Sequence, residues 1–91
     1  MKFSIVVGEV EKHMIDFDFN QLLGRLVIKV DRTEVKRQLK LIDEPLRETH
    51  VIEVGGLERL KVRIEKQRKQ LVGQKCNVFL NDRLLQCYEG I

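Results

Sequence analysis

Two cysteines, Cys76 and Cys87, have the spacing that most readily permits chemistry in this sequence. If Asn81 and Asp82 form a two-residue hairpin turn, counting outward from the turn places Cys76 directly opposite Cys87. Opposed residues on neighbouring strands lie about 4.5–5.5 Å apart at Cα, within reach of a disulfide bond or a shared metal ion. We therefore predict a cross-strand thiol pair. Two buried, reduced thiols are its simplest interpretation, and a redox pair is the alternative.

The two histidines and a pair of aspartates are the other candidates for chemistry. His13 and His50 stand where the other half of an internal repeat has apolar residues, which indicates partly buried structural histidines. Asp16 and Asp18 lie on one side of a predicted strand, about 7 Å apart. Their simplest interpretation is that they form the solvent-facing side of that strand. Ser4 is the only serine, and no zinc-ligand or phosphate-loop spacing occurs. The sequence therefore predicts no enzyme activity, no metal and no cofactor.

A basic stretch runs through the second half of the chain. Between Arg59 and Lys75 there are seven basic residues and a single acidic residue, Glu65. Such a stripe can attract phosphate backbones or acidic partners, although a solvated strand face has the same composition. Aromatic residues make up only 5% of the chain, so stacking partners for single-stranded nucleic acid are few. The candidate binding face consists of Lys61, Arg63, Lys66 and Lys75.

An internal repeat organises the chain. Residues 7–17 and 54–64 carry Val, Gly and Glu at matched places, 47 positions apart, with like-for-like exchanges between them. The match extends from Gly24 to Gly73 and from Val30 to Leu80. Val30 precedes a tight reversal predicted at Asp31 and Arg32, and Leu80 precedes the turn predicted at Asn81 and Asp82. Because two copies of one unit should share a conformation, we predict two similar halves in one domain, about residues 3–42 and about residues 50–91. Their junction is predicted at residues 43–48, around the only proline, Pro45.

Alternation of apolar and polar residues identifies the elements within each half. Ile15, Phe17 and Phe19 alternate with polar residues, which is the period of a half-buried strand. Residues 56–72 also fit an amphipathic helix, but the match to this strand favours a strand over residues 59–66. The sequence predicts an all-β fold, an eight-stranded antiparallel β-sandwich of two four-stranded meanders, with a small β-barrel as the alternative. The side chains predicted to face inward on the fourth and eighth strands are those of Val35, Leu39, Leu41, Leu85 and Cys87.

Several strand and turn signatures resemble a known family. They are residues 13–19, residues 30–37, Val54-Gly55 with Glu58, residues 78–81 and the closing residues 88–90. In these stretches the chain is similar to the carboxy-terminal domain of the Fas apoptotic inhibitory molecule family. The resemblance covers most of the chain and implies an all-β sandwich. It also implies a non-enzymatic role in protein interaction or in protection against stress and aggregation.

Length and composition bound the class of protein. Ninety-one residues with 43% hydrophobic and 34% charged residues describe one globular domain with one core. No apolar run approaches the roughly 20 residues of a membrane span, and no signal peptide is recognisable, so we expect a cytoplasmic protein without a membrane partner. The leading prediction is a protein-interaction module that binds a partner protein or itself through an open sheet edge. The alternative is basic-face binding of nucleic acid or an anionic ligand.

Overall fold

The computed structural model describes residues 1–21, 23–39, 46–69 and 73–90. Each half of the chain forms four consecutive antiparallel strands. The strands are β1 (Lys2–Val7), β2 (His13–Asn20), β3 (Arg25–Val30), β4 (Thr33–Leu39), β5 (Arg47–Val54), β6 (Leu60–Arg68), β7 (Gln74–Leu80) and β8 (Arg83–Gly90). The predicted junction around Pro45 and the predicted inward position of Leu41 lie outside the described residues.

The two meanders form two separate sheets. Their strand orders are β1-β2-β3-β4 and β5-β6-β7-β8, and among the described strands no hydrogen-bonded ladder joins one sheet to the other. The predicted antiparallel sandwich of two four-stranded meanders is therefore confirmed. The barrel alternative is wrong, because closure would require β4 to pair with β5 and β8 to pair with β1, and the described strands form neither pairing.

Alternating burial along the central strands builds the core. In β2 the side chains of Ile15, Phe17 and Phe19 are at most 2% exposed, and their neighbours remain partly accessible. Strand β6 follows the same period from Leu60 to Ile64, so the prediction of a strand rather than a helix is confirmed. The core between the sheets comprises Phe3, Ile5, Val7, Ile15, Phe17, Phe19, Leu26, Ile28, Val54, Leu60, Val62, Ile64, Cys76 and Val78.

Two-residue turns close the last hairpin of each half. Asp31 and Arg32 connect β3 to β4, with φ of 50° and 69°, and Asn81 and Asp82 connect β7 to β8, with φ of 49° and 67°. Two successive residues in the left-handed region define a type I′ turn, whose twist matches that of the paired strands. The turns predicted at both places are confirmed.

A register shift lies near each of these turns and changes which side chains face inward. The β3–β4 ladder shifts between residues 28 and 29, and the β7–β8 ladder shifts between residues 78 and 79. An extra residue on the outer strand of a hairpin moves the side chains beyond it to the opposite face. The prediction that Val35, Leu39, Leu85 and Cys87 face inward is therefore wrong, and all four side chains are exposed.

The sheets stack with β1 over β8 and β4 over β5. At the first contact the rings of Phe3 and Tyr88 are stacked, with their centroids 3.9 Å apart. At the second contact Lys36 Nζ lies 2.6 Å from His50 Nδ1. One side of the sandwich is thus joined by aromatic rings and the other by polar side chains.

Candidate functional site

The predicted basic face is only partly assembled. Lys61, Arg63 and Lys75 lie on the outer face of the second sheet, because they alternate with the core residues of β6 and β7. Lys66 does not join them, since the alternation of β6 turns its side chain inward, where it is 2% exposed. The prediction of Lys66 as part of an exposed face is therefore wrong. Every second side chain of β6 faces inward from Leu60 to Ile64, and this alternation continues to Lys66 in the charged end of the strand.

Carboxylates neutralise much of the charge on this outer face. Lys61 Nζ lies 2.9 Å and Arg63 Nη1 lies 2.7 Å from the same carboxylate, that of Asp82. The hydrogen bond from Lys61 lowers the pKa of Asp82, so this carboxylate stays ionised. The Arg63 guanidinium also lies over the Phe79 ring, 4.2 Å from its centroid. Lys61 and Arg63 are thus engaged within the sheet, and this arrangement does not favour binding of nucleic acid.

A polar cluster lies between the sheets where β4 covers β5 and β6. Lys66 Nζ lies 3.5 Å from Glu48 Oε2 and 3.3 Å from the centroid of the Phe19 ring, so a carboxylate and an aromatic face both stabilise its charge. Gln38 Nε2 donates a hydrogen bond of 2.7 Å to Glu48 Oε1. Reasoning from sequence missed this cluster. The signal that could have found it is the inward parity that Lys66 and Glu48 share with the core residues of their strands.

His50 completes the cluster and is 1% exposed. Because the ammonium of Lys36 can only donate, His50 Nδ1 accepts its hydrogen bond and Nε2 carries the ring proton. This Nε2 lies 3.3 Å from Glu48 Oε1. The predicted burial of His50 is confirmed. Its polar neighbours explain how a histidine occupies a place where the first half of the repeat has Phe3.

The two cysteines do not form the predicted pair. Cys76 lies opposite Tyr88, and Cys87 lies opposite Asn77. The register shift between residues 78 and 79 moves the count by one residue, so the two thiols face opposite sides of the sheet. Cys76 is fully buried, which raises the pKa of its thiol to about 11, whereas Cys87 is exposed. The predicted cross-strand thiol pair is therefore wrong, and Cys76 packs as a small apolar side chain.

Two glutamates connect the loops at one end of the sandwich by reciprocal contacts, which we call the carboxylate clamp. Glu58 Oε1 accepts hydrogen bonds of 2.9, 3.0 and 3.2 Å from the N–H groups of residues 9, 10 and 11. Glu11 Oε1 accepts a hydrogen bond of 2.8 Å from the Gly56 N–H. Successive N–H groups of this kind form a nest for an anion. The N–H of Glu11 makes the largest contribution to lowering the pKa of Glu58.

Gly8 and Gly55 allow the carboxylate clamp to form. Their φ values are +99° and +97°, and a Cβ on either residue would lie 2.0 Å from a carbonyl oxygen of the following loop. A Cβ on Gly55 would also lie 3.0 Å from Glu11 Oε1, and one on Gly8 would lie 3.1 Å from Glu58 Oε1. The glycines and glutamates matched in the internal repeat are thus the residues that build this contact between the halves.

His13 links the carboxylate clamp to the first hairpin turn. Its Nδ1 lies 2.5 Å from Asp31 and its Nε2 lies 2.7 Å from Glu11. These hydrogen bonds, the one to Asp31 first, raise the pKa of His13, and their counterparts lower the pKa of both carboxyls. The side chain is 17% exposed, as expected of a partly buried histidine. The second half of the repeat has Leu60 at this place, so only the first half carries the charged link.

The raised pKa of His13 predicts a pH dependence of stability. Its contribution should be fully present below about pH 6.5, the ordinary value, and should be lost as the pH rises through the higher folded value. Replacing His13 by Leu, the residue of the second half, should remove this part of the pH dependence. Urea unfolding of both proteins at about pH 5.5 and about pH 8.5 measures the difference. If the unfolding free energy changed between the two pH values by the same amount in both proteins, His13 would not be the source of this pH dependence.

Asp16 and Asp18 face solvent on the outer side of the first sheet, as predicted. The Ser4 hydroxyl donates a hydrogen bond to Asp16, and Lys2 Nζ lies 3.7 Å from Asp18. Both aspartates line an open groove of about 530 Å³. The Asp18 side chain is 38% exposed, so it lacks the desolvation that an acid–base pair of carboxylates needs.

The four edge strands of the sandwich are of two kinds. Strand β4 carries charged residues along its length, β5 carries them at Arg47, Glu48 and Glu53, and the inward side chains of both strands meet in the buried polar cluster. Strands β1 and β8 lie over each other on the opposite side, and neither residues 3–7 nor residues 84–88 include a charged residue. Apolar side chains are exposed there, with Val6 at 63%, Leu84 at 56% and Leu85 at 43%. We call this the open side of the sandwich.

Comparison of the chain with protein-family models, with curated proteins and with solved structures found no match. Within the described ranges no group of three or more histidine, cysteine or acidic side chains is placed to hold a metal ion. No helix in the described part of the chain is long and apolar enough to cross a membrane. The surfaces and clusters of this chain are therefore the basis for its functional assignment.

Proposed function

We propose that this protein is a non-enzymatic interaction module that pairs the open side of its sandwich with an extended, weakly charged segment of another polypeptide. The observation that carries the proposal is the absence of charge along residues 3–7 and 84–88, on two edge strands that lie over each other. Natural sheet proteins commonly protect exposed edges with charged side chains. Here charged side chains occur in the middle of β4 and at three positions of β5, whereas on β1 and β8 they are confined to Lys2, Arg83 and Glu89 near the strand ends.

The chemistry of the open side defines the kind of partner. An edge strand presents unpaired N–H and C=O groups, which bind the backbone of any extended segment. Val6 and Leu84 add exposed apolar surface beside those groups, so they favour a partner with apolar rather than charged side chains. The preferred ligand is thus a β-prone segment of low charge, the type of sequence that aggregates when it becomes exposed.

The resemblance to the Fas apoptotic inhibitory molecule family supports the same proposal. That resemblance implies protection against stress and aggregation, and an open edge that covers aggregation-prone segments provides a physical means for it. Basic-face binding stays the second prediction. It has less support, because Lys61 and Arg63 are paired with Asp82 and Lys66 lies inside.

Binding of a short labelled peptide tests the proposal. The labelled peptide is uncharged and has about eight alternating Thr and Val residues. Its fluorescence anisotropy should rise as protein is added, since its backbone can add to the open edge. Replacing Leu84 by Lys should weaken this binding about tenfold, because a lysine on the edge opposes strand addition. The matched control is Val51→Lys on β5, where the side chain is 52% exposed compared with 56% for Leu84. Equal effects of the two substitutions, or no binding by the wild-type protein, would overturn the proposal.

A further inference from the structure

The β1–β2 and β5–β6 loops present the same kinds of side chain at one end of the sandwich. Each loop has an apolar residue, a glutamate and a cation in succession, at residues 10–12 and at residues 57–59. The two glutamates turn towards the opposite loop and form the carboxylate clamp. The apolar and basic members face solvent instead, with Val10 81% and Leu57 89% exposed. We use the name loop tip for the surface formed by Val10, Lys12, Leu57 and Arg59.

The loop tip is convex, and the clamp holds it in place. A side chain with more than four fifths of its surface exposed projects from the fold and does not line a cleft. The clamp fixes the backbone of both loops, since Glu58 accepts a hydrogen bond from the Val10 N–H and Glu11 accepts one from the Gly56 N–H. The loops are thus ordered before a partner binds, which lowers the entropy that binding must cost.

The charges at this end of the sandwich are unequally engaged. Five carboxylates lie in the two loops and in the two type I′ turns at the same end. Four of them bind groups of the protein itself, namely Glu11, Asp31, Glu58 and Asp82. Glu9 is the fifth, and its carboxylate has no such partner among the described residues. Three exposed cations make no ion pair within the described part of the chain, namely Lys12, Arg32 and Arg59.

From the two projecting apolar side chains and the cations beside them, we propose that the loop tip docks on an anionic lipid surface. Val10 and Leu57 enter the boundary between headgroups and acyl chains, while the cations lie at the level of the anionic headgroups. A flat bilayer surface can contact the whole convex tip at once. A protein partner would instead need pockets shaped to receive two separate projecting side chains.

Docking of this kind needs no membrane-spanning segment. It therefore replaces the expectation of no membrane partner, which was based on the lack of an apolar span and of a signal peptide. The loop tip lies at the end of the strands and the open side lies along two edge strands, so the inference is independent of the proposed peptide binding.

Sedimentation with vesicles tests the docking. Vesicles of phosphatidylcholine with about 30% phosphatidylserine should carry down half of the protein at about 1 mM lipid. The double variant Lys12→Gln, Arg59→Gln should weaken this binding about thirtyfold, because two cations leave the surface. The double variant Val10→Ser, Leu57→Ser should weaken it about tenfold or more, because the apolar contact is lost. No binding at about 10 mM lipid, or equal binding to phosphatidylcholine alone, would overturn the inference.

Matched control positions lie at the opposite end of the sandwich. Arg25 and Leu39 are exposed and face each other across β3 and β4, at the end away from the turn. Arg25→Gln and Leu39→Ser should each change vesicle binding by less than about twofold. All the substituted side chains are exposed, so urea unfolding should show each variant to be nearly as stable as the wild-type protein. Controls that weaken binding as much as the loop-tip variants would show that the contact lies elsewhere.

A single tryptophan shows whether the loop tip enters the lipid. The chain contains no tryptophan, so the emission of a Leu57→Trp variant arises from the tip alone. Its emission should shift to shorter wavelength when phosphatidylserine vesicles are added, because the ring leaves water, and that of Leu39→Trp should not. No shift in Leu57→Trp while the protein sediments with vesicles would overturn the inference. Binding of an acidic peptide of alternating Glu and Leu at the tip, without vesicle binding, would make the tip a protein-docking site instead.

Discussion

Replacing Gly55 by alanine is expected to lower the free energy of unfolding by about 3 kcal/mol or more. At a φ of +97° an L side chain is strained, and the new Cβ would lie 2.0 Å from the carbonyl oxygen of Glu58. Relief of that overlap must move the loop between β5 and β6, and Glu11 Oε1 lies only 3.0 Å from the same Cβ. The substitution therefore combines backbone strain with disruption of the carboxylate clamp.

The neighbouring glycine supplies the control for this experiment. A Cβ on Gly56 meets nothing within 4 Å, and its φ lies outside the left-handed region. Gly56→Ala should therefore change the free energy of unfolding by less than about 1 kcal/mol. Urea denaturation of both variants measures the contrast. Similar losses at the two positions would show that the carboxylate clamp does not constrain this loop.

The second large effect is expected in the buried polar cluster. Glu48→Gln removes the carboxylate charge that lies 3.5 Å from the Lys66 ammonium, in a place where the lysine is 2% exposed. Loss of an anion beside a buried cation typically costs about 3–5 kcal/mol, and we expect a loss of about 3 kcal/mol here. The glutamine keeps a carbonyl that can accept the Gln38 hydrogen bond, so the loss reports chiefly on charge.

A double substitution separates charge from packing in this cluster. Lys66→Met keeps an unbranched chain against the Phe19 ring and removes the ammonium, so it should relieve most of the cost of Glu48→Gln. The double variant Glu48→Gln, Lys66→Met should be more stable than Glu48→Gln alone by about 2 kcal/mol. Additive losses for the two substitutions, measured by urea unfolding, would show that the two side chains are not coupled.

The fold was predictable from sequence because the internal repeat resolved an ambiguous segment. Residues 56–72 have a composition that suits a helix, and only the match to the first half identified residues 59–66 as a strand. The same match aligned the two predicted hairpin turns. The turn at Asp31 and Arg32 lacks the glycine that usually marks a type I′ turn, so its alignment with Asn81 and Asp82 added support that local propensity did not give.

The errors in predicting which side chains of β4 and β8 face inward have one physical cause. Each last hairpin contains a register shift, and the residues that take up the shift, Val35 and Leu85, have side chains typical of a regular strand. Without a glycine to mark the irregularity, counting from the turn assigned Cys87 to the wrong face. The shift occurs at equivalent places in both halves. Comparison of the two halves therefore could not reveal that the inward positions of β4 and β8 had been assigned wrongly.

The contacts between the halves were only partly visible in the sequence. The repeat matched Gly8 with Gly55 and Glu11 with Glu58, but reciprocal binding of each carboxylate by the other half depends on how the sheets stack. The buried polar cluster depends on the same stacking, because β4 contributes Lys36 across the interface to β5. The inward positions of Lys66 and Glu48 can be read from the alternation of their strands, but the contact between Lys36 and His50 has no local signature.

Amide hydrogen exchange tests the central claim, that the open side of the sandwich is its interaction surface. Exchange of backbone N–H groups in each strand would be compared for dilute protein alone and for protein saturated with the uncharged Thr–Val peptide. The proposed function predicts slower exchange in β1 or β8 on peptide binding, because edge N–H groups gain hydrogen-bond partners. It predicts no change in β4 and β5. Protection confined to β4 and β5, or no protection in β1 and β8 at saturating peptide, would contradict the claim.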